Sequence, residues 1–387
     1  MKDKIAACVK NLGLSVIREM GLRAAKYEEK IGLEIGEPDF DTPESICQAA
    51  AEAALGGRTH YTSSQGDPEL IEAVRRYVKE QQGIDLEQGQ VVITHGGQGG
   101  LVAALRTLVD NGDQVLMPEP RFPSYAAHVL YMGGEIVDVP TTFDEGFVLR
   151  PEAIERAVGP RSKVILLNSP NNPTGAIIPR ETLDLIASLA VEHDLLVVSD
   201  EVYDRMIYQG GHESIYTRPG MAERTVVVNS FSKSFAMTGW RVGFSYGPQW
   251  IMEEMIKAVS YYTVCASSIG QRASLAALGA DQSVFQAMTE EYGKRTELVY
   301  QRLSQIPGIE VHQPKGTFYI FPRVSQLMAN GQEFAFKLLE KEQVVTVPGS
   351  AFGPSGRECI RLACTVGLEE ISRAMDKIER FARGLKA

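Results

Sequence analysis

The sequence predicts an α/β fold, with a mostly parallel seven-stranded sheet in a large domain and a smaller α+β domain after it. Between about residues 90 and 250, seven short β-branched runs alternate with helical patterns: VVIT, QVLMP, EIVDVP, KVILLN, LLVVSD, TVVVNS and VGFSYG. That rhythm is the signature of parallel strands joined by crossover helices. Several runs are apolar throughout, as expected where helices cover both sheet faces.

An N-terminal arm, residues 1–44, precedes the sheet domain, which is expected over 45–284. Thr42 followed by Pro43 reads as an N-cap and first-turn pair for the helix leaving the arm. From 285 to 387 the pattern changes. IEVHQP, TFYIFPRV, VVTVPG and CIRLACT read as strands, and Ile371, Ala374, Met375, Ile378, Phe381, Ala382 and Leu385 recur at helical spacing. A helix with that apolar face closes the second domain. No repeat, low-complexity tract or long linker intervenes, so the domains are expected to pack closely.

At 387 residues with 44% apolar content, the chain is long enough for two domains around a sizeable core. Its net charge of −10 is dispersed, with no dense Lys/Arg run to bind nucleic acid or a membrane surface. The N-terminus MKDKIAACVKNLGL lacks a signal-peptide core, and no segment approaches the roughly 18 apolar residues of a membrane span. A cytoplasmic protein is expected, with small molecules or its own copy as partners. The five cysteines, an odd number without CxxC spacing, read as reduced core fillers. The six histidines form no HExxH pattern and do not pair with cysteines, so no metal is expected.

The most informative stretch is SFSKSFAMTGWRVG, Ser230 to Gly243, which follows the run TVVVN. Lys233 among small hydroxyl residues at a strand end is placed to form an imine while its neighbours bind an anion. Arg241, eight residues on, supplies a planar cation suited to phosphate. Upstream, KVILLNSPNNPTG ends a strand in an Asn-Pro turn, and LLVVSDEVY ends another at Asp200. Ligands collect at the carboxyl ends of strands in open α/β sheets, so Asn172, Asp200 and Lys233 can converge. VVITHGGQGGL adds glycines between a strand and a helix, where backbone N–H groups approach a phosphate. It fails GxGxxG, because Val102 holds the last glycine position, and it lacks a P-loop ending. Taken singly, each feature has a plainer reading: a solvated lysine, a turn, a helix N-cap.

Together the four elements resemble the fold type I pyridoxal-phosphate enzymes, specifically the class I, aspartate-aminotransferase-like aminotransferases, from GEPDF near residue 36 to CIRLACT near 360. The resemblance implies pyridoxal 5′-phosphate as cofactor, a small domain to which the N-terminal arm contributes, and a homodimer with shared sites. Lys233 would hold the cofactor as a Schiff base and serve as the catalytic base. Asp200 would pair with the ring nitrogen, and Asn172 and Tyr203 with the phenolic oxygen. Phe122 and Val202 match the residues on the two ring faces. Gly97, Gln98, Ser230, Ser232 and Arg241 match the phosphate ligands, with Tyr61 reaching in from the neighbouring subunit. Arg361 matches the clamp for the substrate carboxylate, close to Gly36 and Asn172.

The expected reaction moves the amino group of an α-amino acid to a 2-oxo acid. A β-lyase of the C–S type on the same cofactor is the alternative, since the fold and the Lys/Asp/Arg set are shared. A cofactor-bound regulatory protein is disfavoured by the complete catalytic set, and a nicotinamide dehydrogenase by the failed GxGxxG. No motif identifies an arginine for a second carboxylate, so the substrate side chain stays open.

Overall fold

A computed structural model describes residues 4–10 and 16–385. Twelve strands occur among them: β1 (Ile31–Gly32), β2 (Val91–Thr94), β3 (Gln114–Glu119), β4 (Glu135–Pro140), β5 (Ser162–Asn168), β6 (Leu196–Asp200), β7 (Thr225–Ser230), β8 (Gly243–Tyr246), β9 (Tyr319–Ile320), β10 (Val344–Val345), β11 (Val347–Pro348) and β12 (Ile360–Ala363). β2 to β8 coincide with the seven β-branched runs to within a residue at either end.

These seven form one sheet in the order β2-β8-β7-β6-β5-β3-β4. β8 runs antiparallel to both of its neighbours, and the other pairings are parallel. Alternate side chains enter opposite helical layers. Along β7, Val226 and Val228 pack with Leu101, Leu105 and Met255, whereas Val227 packs with Val74, Phe231 and Phe244. Covered on both faces, the inner strands need no polar alternation. β4, at the sheet edge, leaves Glu135, Asp138 and Pro140 exposed.

A separate core forms around Met20, Leu33, Leu303, Phe334, Ile360 and Ile378. It draws on both chain ends: β1 pairs in parallel with β10, and β11-β12-β9 form an antiparallel sheet beside it. The helix Leu368–Gly384 buries Ile371, Ala374, Met375, Ile378, Phe381 and Ala382, the face marked by the periodicity, and Leu385 caps it. The helix Ser283–Ser304 bridges the two regions. Its Phe285 packs beneath the large sheet, while Val299 and Leu303 enter the second core.

Three expectations need correction. Thr42 is not an N-cap: the helix Glu44–Leu55 has Pro43 at that position without a side-chain bond, and Thr42 Oγ1 instead donates to Ala236 O at 2.6 Å and accepts from Trp240 Nε1. IEVHQP is no strand; its one pairing is the isolated bridge between Glu310 and Arg323, because the chain then turns at Pro314 to meet Gly175. The cysteines are not uniformly core residues either. Cys359 and Cys364 are buried, with thiols pushed up to about 12 by desolvation, but Cys47 is exposed. Of the N-terminal stretch MKDKIAACVKNLGL, residues 1–3 and 11–14 lie outside the described part.

Candidate active site

The parallel strands β2, β3, β5, β6 and β7 all end at one edge of the sheet, and β8, running the other way, begins there. That reversal brings Arg241, just before β8, to residues supplied by strand ends. A cavity of about 840 Å³ opens at this edge. Gly36, Gly97, Gln98, Phe122, Asn172, Asp200, Val202, Tyr203, Ser230, Ser232, Lys233, Arg241 and Arg361 all line it. Tyr61 does not: it is 83% exposed on the loop before the helix Pro68–Gln82.

Lys233 sits on a one-turn helix, Phe231–Ser234, whose N-cap Ser230 accepts from Ser232 N at 3.1 Å. Its Nζ donates to Gly36 O at 2.6 Å. Desolvation lowers the amine to about 8, against the opposing pull of Glu37. An amine so placed is available near neutral pH as nucleophile and base. A Cβ on residue 36 would lie 1.8 Å from Tyr319 Oη, so only glycine admits this approach.

Asp200 ends β6. Its Oδ2 accepts from Tyr125 Oη at 2.7 Å and its Oδ1 from Val202 N at 3.2 Å. Burial raises the carboxyl to about 6, partly offset by the Tyr125 bond. Asn168, at the end of β5, ties the neighbouring turn to this strand: its Nδ2 donates to Asp200 O and its Oδ1 accepts from Asn172 N. Tyr203 Oη lies 3.1 Å from Tyr319 Oη.

At the cavity's other corner, donors gather at the start of the helix Gly96–Leu108. Gly96 has φ +67°, and a Cβ there would stand 2.6 Å from Arg241 Nη2, so the glycine lets the guanidinium reach the helix N-terminus. Arg241 Nη1 donates to Thr238 O at 2.8 Å and to Ser232 Oγ at 3.4 Å. Helix N-terminal N–H groups, hydroxyls and a guanidinium together make an anion site.

Arg361, on β12, is 2% exposed. Nη1 donates to Asn172 Oδ1 at 3.1 Å and Nη2 to Glu34 O at 2.5 Å, while Nε has no partner among the described residues. The guanidinium lies 4.4 Å from the Tyr319 ring centroid. A buried cation with an unused N–H beside a cavity is suited to a carboxylate.

Sequence reasoning missed four residues here. Tyr125 lies three positions beyond Phe122 in PEPRFPSY, and Tyr319 faces the site from TFYIFPRV; both motifs were visible, but not which side chain turned inward. His128 Nε2 meets Gln98 Oε1 at 2.6 Å, which turns the Gln98 amide nitrogen away from the imidazole. Glu34 is a buried carboxyl on the cavity wall, raised by desolvation, with Oε2 unpartnered among the described residues. Among those residues no group of three or more His, Cys, Asp or Glu could hold a metal, and no helix is long and apolar enough to cross a membrane.

The model of the aminotransferase class I and II family matches residues 28–378. The chain is 41% identical to the aromatic-amino-acid aminotransferase 2 of Thermococcus litoralis and 40% identical to the aspartate aminotransferase of Pyrococcus abyssi, in each case over 96% of both proteins. Among solved structures it is similar to the aspartate aminotransferase of Thermus thermophilus with maleate, at 34% identity and a TM-score of 0.92, covering 97% of this chain and 99% of that one. Identity of this order along almost the whole length, on a sheet whose strand ends gather a lysine, a carboxylate and an anion corner, places the chain in the class I and II aminotransferases, pyridoxal-phosphate-dependent enzymes that transfer an amino group from an amino acid to a 2-oxo acid.

Proposed function

We propose that the cavity at the sheet edge is the site of amino-group transfer, with Lys233 as the attachment point and proton carrier. The observation that carries this reading is the Lys233 amine, brought to about 8 by burial within a cavity that also holds Asp200 and Arg361. The donor set fits the cofactor chemically: anion donors at Gly97, Gln98, Ser230, Ser232 and Arg241, apolar Phe122 and Val202 for a planar ring, and a carboxylate for a ring N–H. Pyridoxal phosphate, when bound, supplies an electron-withdrawing ring that makes the substrate α-proton removable. Lys233 would move that proton. Asp200 would hold a proton on the ring nitrogen, Asn172 and Tyr203 would hydrogen-bond the phenolic oxygen, and Arg361 would bind the substrate α-carboxylate beside Gly36.

The lyase alternative is not favoured, since the relatives above are named as aminotransferases. The test is stoichiometric: an amino acid alone should yield about one equivalent of oxo acid per site and then stop, until a second oxo acid is added. Sustained ammonia release from a substrate with a β leaving group, without that arrest, would overturn amino transfer.

Arg361→Leu should lower kcat/KM about 10- to 150-fold for every amino acid tried, the loss of a charge-assisted hydrogen bond of about 1.5–3 kcal/mol. Steady-state kinetics on aspartate, alanine and phenylalanine checks it; a loss confined to one side chain would remove Arg361 from the carboxylate. For the side chain we propose both apolar and acidic substrates. Ile17, Ile35 and Leu101 line the cavity with apolar side chains, and Arg18, which has no ion pair among the described residues, stands on the same cavity. Arg18→Ala should cost aspartate up to about fivefold in kcat/KM and leave phenylalanine unchanged.

We also propose the division into an arm (1–44), a large domain (45–284) and a small domain (285–387), a cytoplasmic location, and a homodimer in which Tyr61 serves the partner's site. Its exposure, and its not being among the residues that line the cavity of its own chain, support the last of these.

A further inference from the structure

The loop after β6 has two sides. Asp200, Val202 and Tyr203 line the cavity described above, whereas Asp204 lines a second, polar cavity of about 440 Å³ with Arg205, His212 and Gln82. No role described so far uses Asp204. Its Oδ2 accepts from Asn229 Nδ2 at 2.9 Å, and its Oδ1 has no hydrogen-bond partner among the described residues. Asn229, 3% exposed on β7, passes the contact on: its Oδ1 accepts from Ser230 N at 2.7 Å.

A carboxamide has one donor side and one acceptor side. With a carboxylate oxygen against Nδ2, only Oδ1 can face the Ser230 N–H, so each bond fixes the other. Ser230 stands opposite Gly243 on β8, but β8 bonds the next residue, Phe231 N to Val242 O, so the Ser230 N–H depends on the Asn229 side chain for its acceptor. Ser230 in turn holds Ser232, donating to its Oγ at 2.9 Å and accepting from its N at 3.1 Å.

We infer that Asp204 is a positioning residue for cofactor phosphate: through Asn229 it fixes Ser230 and the hydroxyl pair at the anion corner. The inference rests on the proposed assignment of Ser230, Ser232 and Arg241 to phosphate. Removing the carboxylate frees the Asn229 amide to rotate, and the Ser230 N–H then loses its acceptor inside the protein. A neutral acceptor at residue 204 keeps the relay intact.

The test compares affinities of the full-length protein, freed of cofactor, for pyridoxal 5′-phosphate and for pyridoxal, which lacks the phosphate. Asp204→Ala should weaken the phosphate ester about tenfold and pyridoxal less than about twofold. Asp204→Asn should stay within about threefold of wild type for both, because its amide oxygen still accepts. Arg241→Ala should erase the preference for the ester. Equal weakening of both ligands by Asp204→Ala, or as large a loss in Asp204→Asn, overturns the inference. So does an unchanged preference in Asp204→Ala while Arg241→Ala loses it. If Arg241→Ala retains the preference, the phosphate assignment fails and the inference with it.

Discussion

Lys233→Ala should lower turnover by at least about 10⁴-fold, the largest effect of any single substitution in this protein. In the proposed reading two functions fall on one amine, covalent attachment and proton movement at the substrate α-carbon, and the second alone is commonly worth 10²–10⁴-fold. No neighbour can substitute. Among the residues lining the cavity the other nitrogen cations are Arg18, Arg241 and Arg361, whose guanidinium groups stay protonated and make poor bases. The variant should still bind the cofactor through the proposed anion corner and fold normally, because Lys233 makes one side-chain hydrogen bond among the described residues, to Gly36 O. Single-turnover kinetics checks the loss. A variant retaining more than about a hundredth of wild-type turnover would assign the base elsewhere.

Asp200→Asn should act in opposite directions on activity and on stability. Turnover should fall by about 10²–10³-fold, since an amide cannot balance a positively charged ring nitrogen as a carboxylate does. The cofactor-free protein, however, should gain stability. Asp200 is raised from its ordinary value to about 6 by desolvation, so its contribution is fully present below about pH 4 and is lost as pH rises through 6. At pH 8 the buried charge therefore costs up to about 3 kcal/mol, which the neutral amide avoids: its oxygen can keep the Val202 N–H while its NH2 donates to Tyr125 Oη, a hydroxyl that can also accept. Thermal unfolding of the cofactor-free variant should exceed wild type at pH 8, and the difference should shrink below about pH 6. A variant less stable than wild type at pH 8 would show that the Tyr125 contact, not the carboxylate charge, dominates the site.

Legibility from sequence followed the range of the interactions. The sheet could be read because each strand is a local run with its own turn chemistry, and ligands of parallel sheets sit where strands end. Lys233, Asp200 and Asn172 inherit their positions from that rule. Tyr125, Tyr319, His128 and Glu34 could not be found the same way, because each acquires its meaning from a partner far along the chain: Asp200 for Tyr125, Tyr203 for Tyr319, Gln98 for His128 and the Arg361 neighbourhood for Glu34. Thr42 failed for the same reason. Local propensity favours a threonine cap, but the Ala236 carbonyl and the Trp240 indole compete for the hydroxyl across the domain. Arg361 stands between these cases, since its motif was recognisable in sequence whereas its burial against Tyr319 and Phe352 was not.

The central claim, that Lys233 is the residue to which the cofactor is joined, is tested most directly by borohydride reduction of the wild-type enzyme followed by peptide mass spectrometry. One cofactor-mass adduct per chain is expected on the peptide containing Ser230–Arg241, at Lys233. An adduct on any other lysine, or none in a protein that transfers amino groups, would contradict it.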